Sequence, residues 1–304
     1  MARLPANDLY LGSVLIANAS GELANSGYYK TYYVDGNAGV DTNSGLSKNL
    51  AKKTLASAMA ASQASIAASS AGWAARNRIF LQADATTEDL VLLAQKTDII
   101  GIGSMDWRAK PSIIGNHVIP NTAETHGCRF INVEFQSPAA GGDIWTLTDQ
   151  HGVAFLGCSF RGNSTTAATA AIIAVACVDL SIVECEFTGA FSDAVIEVGA
   201  GQADGFRVER CYIQGANMGI DISGSATFAA SKYGLIKDNV ISVTLAAVND
   251  AEGKCFVANN RLATLAAKGT AMAGCIVCNI KLAQDNRCTT SDADNVVYPA
   301  QGTI

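Results

Sequence analysis

The chain has 304 residues, about half of them apolar (49%) and only 16% charged, with 28 Gly and 5 Pro. That composition excludes a disordered chain and calls for a large buried core in a turn-rich architecture. A net charge of −6 without a Lys/Arg-rich run excludes an electrostatic footprint for nucleic acid, and no run approaches the ~18 apolar residues of a membrane span.

Residues 1–27 show no strong period and read as an N-terminal arm or attachment segment. Leu9 to Ile16 is apolar and precedes Ala17-Asn18-Ala19, which mimics a small-residue cleavage site, but Asp8 and a single Arg3 make a poor n-region, so export is not expected. Residues 28–78 hold an opening strand, Tyr32-Tyr33-Val34, then a Gly/Asn/Asp loop from Asp35 to Gly45, and then a helix. Asp35, Asp41 and Asn43 present oxygen donors that would suit calcium, although turn chemistry explains the same residues with no further assumption and is favoured. Thr54 can cap the helix that follows, in which Leu55, Met59 and Ile66 form one narrow apolar stripe suited to closing the open end of a stack of strands.

Residues 79–286 carry a period of roughly 20 to 28 residues, the range of solenoids. Two early turns start at Ile79-Phe80-Leu81 and Ile99-Ile100-Gly101-Ile102. Seven later segments share one register, beginning at Cys128, Val153, Leu180, Phe206, Gly234, Cys255 and Cys275. The third place of these reads Phe130, Phe155, Ile182, Val208, Ile236, Val257, Val277, and the eighth reads Phe135, Phe160, Phe187, Ile213, Ile241, Leu262, Leu282. Alternation marks strands, and the skip from third to sixth place marks a corner between two of them. A third strand follows in several turns, as in Ala194 to Gly199 and Gly219 to Gly224. The fold expected is an all-β, right-handed parallel β-helix solenoid of about nine turns with an N-terminal capping α-helix, and residues 287–304 form a C-terminal tail or cap.

The sixth place holds Cys158, Cys185, Cys211, Asn239 and Asn260, small or polar residues stacked at the corner as a structural ladder. A buried Asn there can bond backbone groups of the turns above and below. The cysteines are read as filling the slot without bonding. Nine cysteines, an odd number, five of them in alternating apolar runs, point to reduced thiols that pack as small hydrophobes.

Tyr33-Val34-Asp35-Gly36, with Gly39, Asp41, Asn43 and Gly45, then Lys53-Thr54-Leu55 and Ala58, resembles the opening signature of pectate-lyase-like right-handed β-helix proteins. Within that family it resembles bacteriophage tailspike and virion-appendage proteins, and Asn239 and Asn260 resemble the family's internal asparagine ladder. The likeness spans about Tyr32 to Leu282. It is specific for fold and not for chemistry, because this solenoid hosts lyases, hydrolases, adhesins and passive structural proteins.

The strongest catalytic candidates are Glu197 and Asp221, placed on the outer face of adjacent turns about 4.8 Å apart, with Thr146 and Ala174 as expected column neighbours. Trp145 and Tyr212 are assigned to outward places, where aromatic rings would stack on sugars. Glu184 and Glu186 flank Cys185 and face solvent. Cys275 and Cys278 have CxxC spacing with Cys288 beyond, but no second pair and no histidine after His151, so zinc is not expected. His117, His126 and His151 lie near bends without a nucleophile partner, and no phosphate loop or cofactor motif is present.

The remaining outward places are rich in small neutral residues, which favours burial between subunits. The resemblance, this low charge and the lack of a catalytic set point to a phage virion protein, assembled in the host cytoplasm. It would be a homotrimeric tailspike, fibre or capsid-decoration appendage, joined to other virion proteins through its arm and able to touch host surface polysaccharide. A polysaccharide depolymerase acting through Glu197 and Asp221, and a secreted bacterial carbohydrate-binding protein, are the alternatives.

Overall fold

The computed structural model describes residues 29–69, 75–82, 85–103, 110–121, 125–138, 141–163, 166–215, 217–222, 226–227, 234–250 and 255–263, and the backbone of short strands at 9–11, 14–17, 276–278, 280–282 and 296–297. Strands Leu9–Leu11 and Val14–Ala17 pair antiparallel within the segment read as an arm. Most described strands between Thr31 and Leu282 belong to three parallel sheets of ten, ten and six strands, the second ending on an antiparallel partner, Val296–Val297, and a small parallel pair joins Gly201–Gln202 to Ala226–Thr227. The chain is a parallel β-solenoid. Six turns place a strand in all three sheets. The expected count of nine is slightly off, because the opening strand Thr31–Val34 pairs in register with Asn77–Gln82 and is itself a rung.

Alternation sends every second side chain inward, and the parallel register stacks like positions in columns. In the first sheet Phe130, Phe155, Ile182, Val208, Ile236 and Val257 are successive Cα partners, all fully buried. In the second, Phe135, Phe160, Phe187, Ile213 and Ile241 follow one another the same way. The rings stack along these columns, Phe130 on Phe155 at 5.4 Å and Phe160 on Phe187 at 4.6 Å between centroids. Each such side chain contributes about 1.5–3 kcal/mol relative to exposure. Trp145, Ile172, Ile196, Ile220 and Val248 form the inner column of the third sheet.

The corner between the first and second sheets is made by one residue per turn in left-handed backbone: Asn132, Gly157, Glu184, Arg210, Asp238 and Asn259, with φ from 52° to 60°. That conformation costs most L-residues roughly 1–2 kcal/mol, and Asn, Asp and Gly tolerate it best. The residue after each one points inward and builds the ladder. Asn239 Nδ2 donates to Val208 O at 3.0 Å and to Asn260 Oδ1 at 2.9 Å, while Asn239 Oδ1 accepts from Cys211 N at 2.8 Å. Asn260 Nδ2 donates to Ile236 O at 2.9 Å.

The cysteines of the same column bond too, contrary to the sequence reading. The Sγ atoms of Cys158, Cys185 and Cys211 lie 3.4, 3.3 and 3.5 Å from the carbonyls of Phe130, Phe155 and Ile182 on the preceding turn. A thiol is a weak donor, but here it is aimed at the carbonyl that the asparagines use further along. Burial pushes the Cys185 thiol up, and pushes Cys177, which makes the same contact with Leu147 O at another corner, up to about 11. The six described cysteines are all free thiols.

Helix Leu55–Ala67 starts at Thr54, whose side chain accepts from Ser57 N at 3.2 Å. Leu55, Met59 and Ile66 are buried as the stripe requires, and the helix packs on the first two strands of the first sheet. Glu88, 33 residues on, adds its carboxylate to the helix N-terminus, accepting from Leu55 N and Ala56 N at 2.9 Å each. Among the described residues no helix is long and apolar enough to cross a membrane.

Candidate functional site

The outer face of the second sheet carries polar groups, and it too is columnar. One outward column runs Ser112, Glu134, Ser159, Glu186, Tyr212 and Val240, the other Ile114, Gln136, Arg161 and Thr188. At the end of these strands a groove of about 380 Å³ is lined by Gln136, Ser137, Arg161, Gly162, Asn163, Thr188 and Gly189. Its glycines let successive turns lie close: a Cβ on Gly189 would come within 2.3 Å of Gly162 O, and one on Gly162 within 2.3 Å of Ala190 O. Bare backbone therefore takes the place of side chains there.

Behind the groove sits Glu134, with a side chain only 5% exposed and Arg161 Nη2 at 3.7 Å. Gln136 Nε2 donates to its carboxylate and, at 2.9 Å, to Ser112 Oγ. Burial raises the carboxyl of Glu134 against the opposing pull of Arg161, Gln136 and Lys110, and Glu186 raises it further. Lys110 crosses to this face, donating to Gly157 O at 2.7 Å and Ser159 Oγ at 2.9 Å. Chemically the site offers one guanidinium, several neutral hydrogen-bonding groups and, one turn beyond Glu186, the exposed ring of Tyr212.

Tyr212 is thus outward, 41% exposed, as expected. Trp145 is not. It is fully buried, with its ring 5.1 Å from Phe135 and 4.5 Å from His117, because its strand begins at Trp145 and Ile144 belongs to the preceding corner. Trp145 carries no sugar-binding surface. Cys275 and Cys288 lie outside the described residues.

Glu197 and Asp221 are Cα partners on adjacent turns of the third sheet, facing outward. Their column continues to Thr146 through Ile173, not Ala174, which points inward and is 1% exposed. Burial raises both carboxyls, helped by the charge of Asp193, and for Glu197 also by Asp221 and Asp143. Asp221 is held by Asn249, whose Nδ2 donates to Oδ1 at 2.6 Å.

In the N-terminal loop the candidate calcium donors are used internally. Asp35 Oδ1 accepts from Asn37 N and Ala38 N, and Asp41 Oδ1 accepts from Lys53 N, Thr54 N and Thr54 Oγ1. Asn43 Nδ2 donates to Ala51 O, and Lys52 places its ammonium on the carbonyls of Asp41 and Asn43 at 2.9 Å each. A built-in cation holds the loop's carbonyls. Among the described residues no three His, Cys, Asp or Glu side chains are grouped to hold a metal.

His117 is not at a bend but on the inner face of strand His117–Ile119. Its Nδ1 accepts from Leu90 N at 3.1 Å, and burial pulls its pKa down to about 3. The rings of His126 and His151 meet edge to face, 5.2 Å between centroids. Glu184 is exposed and pairs with Arg210 at 3.0 Å.

No family model matches the chain, and no curated protein matches it. Among solved structures it is similar to QnrB1, described as a plasmid-mediated fluoroquinolone resistance protein. The identity is 12%, with 68% of this chain and 91% of that chain covered and a TM-score of 0.25. A likeness at that level carries no functional argument. None of these comparisons links the chain to pectate-lyase-like or phage proteins.

The polar face was missed in the sequence although its signal is present there. Places seven and nine of consecutive segments read Glu134, Ser159, Glu186, Tyr212 and Gln136, Arg161, Thr188, Gln214, which form a surface only once read down the columns.

Proposed function

We propose that this protein is a structural, glycan-binding β-solenoid, a homotrimeric appendage of a phage virion attached through its N-terminal arm. The coil serves as a stiff stalk, and the outer face of the second sheet contacts host surface polysaccharide. The observation that carries the binding role is the groove at Gln136, Arg161, Asn163 and Thr188 with the exposed Tyr212 ring on the same sheet. Sugars are bound by this combination of neutral hydrogen-bonding groups and an aromatic face. The virion assignment rests on the resemblance of the Tyr33 to Ala58 segment to tailspike proteins. Immobilised protein is expected to retain lipopolysaccharide or capsular polysaccharide, with Tyr212→Ala weakening retention. Absence of retention across a panel of bacterial glycans refutes the binding role, and a monomeric mass in solution refutes the trimer.

The alternative of a depolymerase is favoured by one observation, the pairing of Glu197 with Asp221 on adjacent turns, both carboxyls raised. Chain shortening of a surface glycan that disappears in Glu197→Gln supports that reading. Unchanged turnover in Glu197→Gln with Asp221→Asn removes the pair.

A further inference from the structure

Three of the described cysteines share one column at one corner. Cys158, Cys185 and Cys211 follow one another on consecutive turns, held in register by Leu156, Val183 and Glu209 on one side and by Ser159, Glu186 and Tyr212 on the other. Val133 precedes them in the column and Asn239 follows, so three buried sulfurs enclose two gaps. The Cys185 thiol is in hydrogen-bonding contact with the thiols on both sides.

The surroundings of these sulfurs favour a cation over a bare thiolate. Each sulfur faces two backbone carbonyl oxygens, one on its own turn and one on the turn before, at 3.3 to 3.7 Å. Carbonyl oxygens turned inward in this way hold cations stripped of water, and they repel a negative sulfur. Burial raises the Cys185 thiol, since the apolar wall resists an uncompensated negative charge.

Geometry then sets the coordination number. Among the described residues no three His, Cys, Asp or Glu side chains converge on one point, which excludes the four-ligand site that zinc takes. Two sulfurs on adjacent turns remain available to each gap. Two metal–sulfur bonds of roughly 2.3 Å in line span about 4.6 Å, close to the rise of about 4.8 Å between parallel neighbours. Thiolate is the soft ligand that selects monovalent copper.

We propose that the column formed by Cys158, Cys185 and Cys211 is a site for soft monovalent cations of the Cu(I) class, one in each gap, with Cys185 bridging the two. Each ion displaces one thiol proton to solvent, and no electron is transferred. Two ions thus leave two thiolates, one neutral thiol and no net charge in the wall, and they tie three turns together. The proposal is independent of the glycan reading.

The test is metal analysis of the reduced full chain after anaerobic loading with Cu(I) as its acetonitrile complex, by incubation and by refolding, followed by desalting. Cys185→Ser is expected to hold about two ions fewer than wild type, and Cys158→Ser and Cys211→Ser about one fewer each, because only the central sulfur serves both gaps. The other six cysteines are common to all four proteins and cancel in the difference. Far-UV circular dichroism verifies folding, and Cys185→Ala replaces Cys185→Ser if the latter does not fold. X-ray absorption should show two sulfur neighbours per copper, and Cu(I) should raise the melting temperature of wild type and not of Cys185→Ser. Equal copper in wild type and Cys185→Ser, equal losses in all three variants, no loading by either route, or a disulfide within the column in place of bound copper overturns the proposal.

Discussion

Two stretches of the coil hold polar groups inside their walls in opposite ways. In the late turns Asn239 and Asn260 are saturated, each amide bonded to the backbone or to the next asparagine. In the early turns His117 and Trp145 sit among Phe130, Phe135 and Phe155 with Nε2 and Nε1 lacking any hydrogen-bond partner. Between them the cysteines occupy the asparagine slot with weak donors. The stack of turns is indifferent to which solution is used as long as the column stays filled, but stability should not be. Late turns are tied by polar bonds that cannot be removed singly without orphaning a partner, while early turns rest on ring packing.

The largest effect should come from the late stretch. Asn239→Leu leaves Cys211 N and Val208 O buried without their side-chain partner and takes from Asn260 Oδ1 one of its two donors, the backbone N of residue 239 remaining, at about 1–3 kcal/mol per orphaned group. A loss of about 3–5 kcal/mol in chemical denaturation is expected, and a loss below 1 kcal/mol would erase the contrast between the stretches.

The early stretch should show itself through pH. His117 has its pKa depressed to about 3 against 6.5 for an unfolded histidine, so the unfolded chain gains a proton first as pH falls below 6.5. Stability is then lost with a slope of about 1.4 kcal/mol per pH unit, down to about pH 3, and nothing is lost above 6.5. Denaturation curves of wild type and His117→Asn should therefore diverge in slope between these limits. Parallel curves, or an imidazole that titrates near 6.5 in NMR, would contradict the buried neutral assignment.

For the intermediate slot, Cys185→Ala removes one weak bond and a small volume, and should cost about 1 kcal/mol, with Cys185→Ser costing less since a hydroxyl can meet the same carbonyl. The smallest effect lies outside the walls. Glu197 is raised by burial and by Asp193. A carboxyl raised on folding weakens the fold as pH climbs through the carboxylate range, so Glu197→Gln should lift the melting temperature slightly at neutral pH and leave it unchanged in acid, as read by calorimetry.

The interior was legible in the sequence because a buried column tolerates only apolar residues or satisfied ones, and the period exposes it turn after turn. Trp145 went wrong for a local reason: in Ile144-Trp145-Thr146-Leu147 two adjacent residues are apolar, and alternation alone does not say which of them belongs to the corner. The cysteine bonds were hidden because the thiol carries little hydrogen-bonding signal by type. Lys52 in the calcium-like loop and Glu88 on the helix end were out of reach, being long-range partners with no pattern of their own. The polar face lay between these cases, written in the register but not within any single strand.

Most direct is a methyl NOE experiment on the folded chain. Cross-peaks linking Ile182 to Val208, Val208 to Ile236 and Ile236 to Val257, one turn at a time and in that order, are the expected result. Absence of contact between members one turn apart, with each methyl group surrounded by residues from other columns instead, would contradict the stacking on which the sites depend.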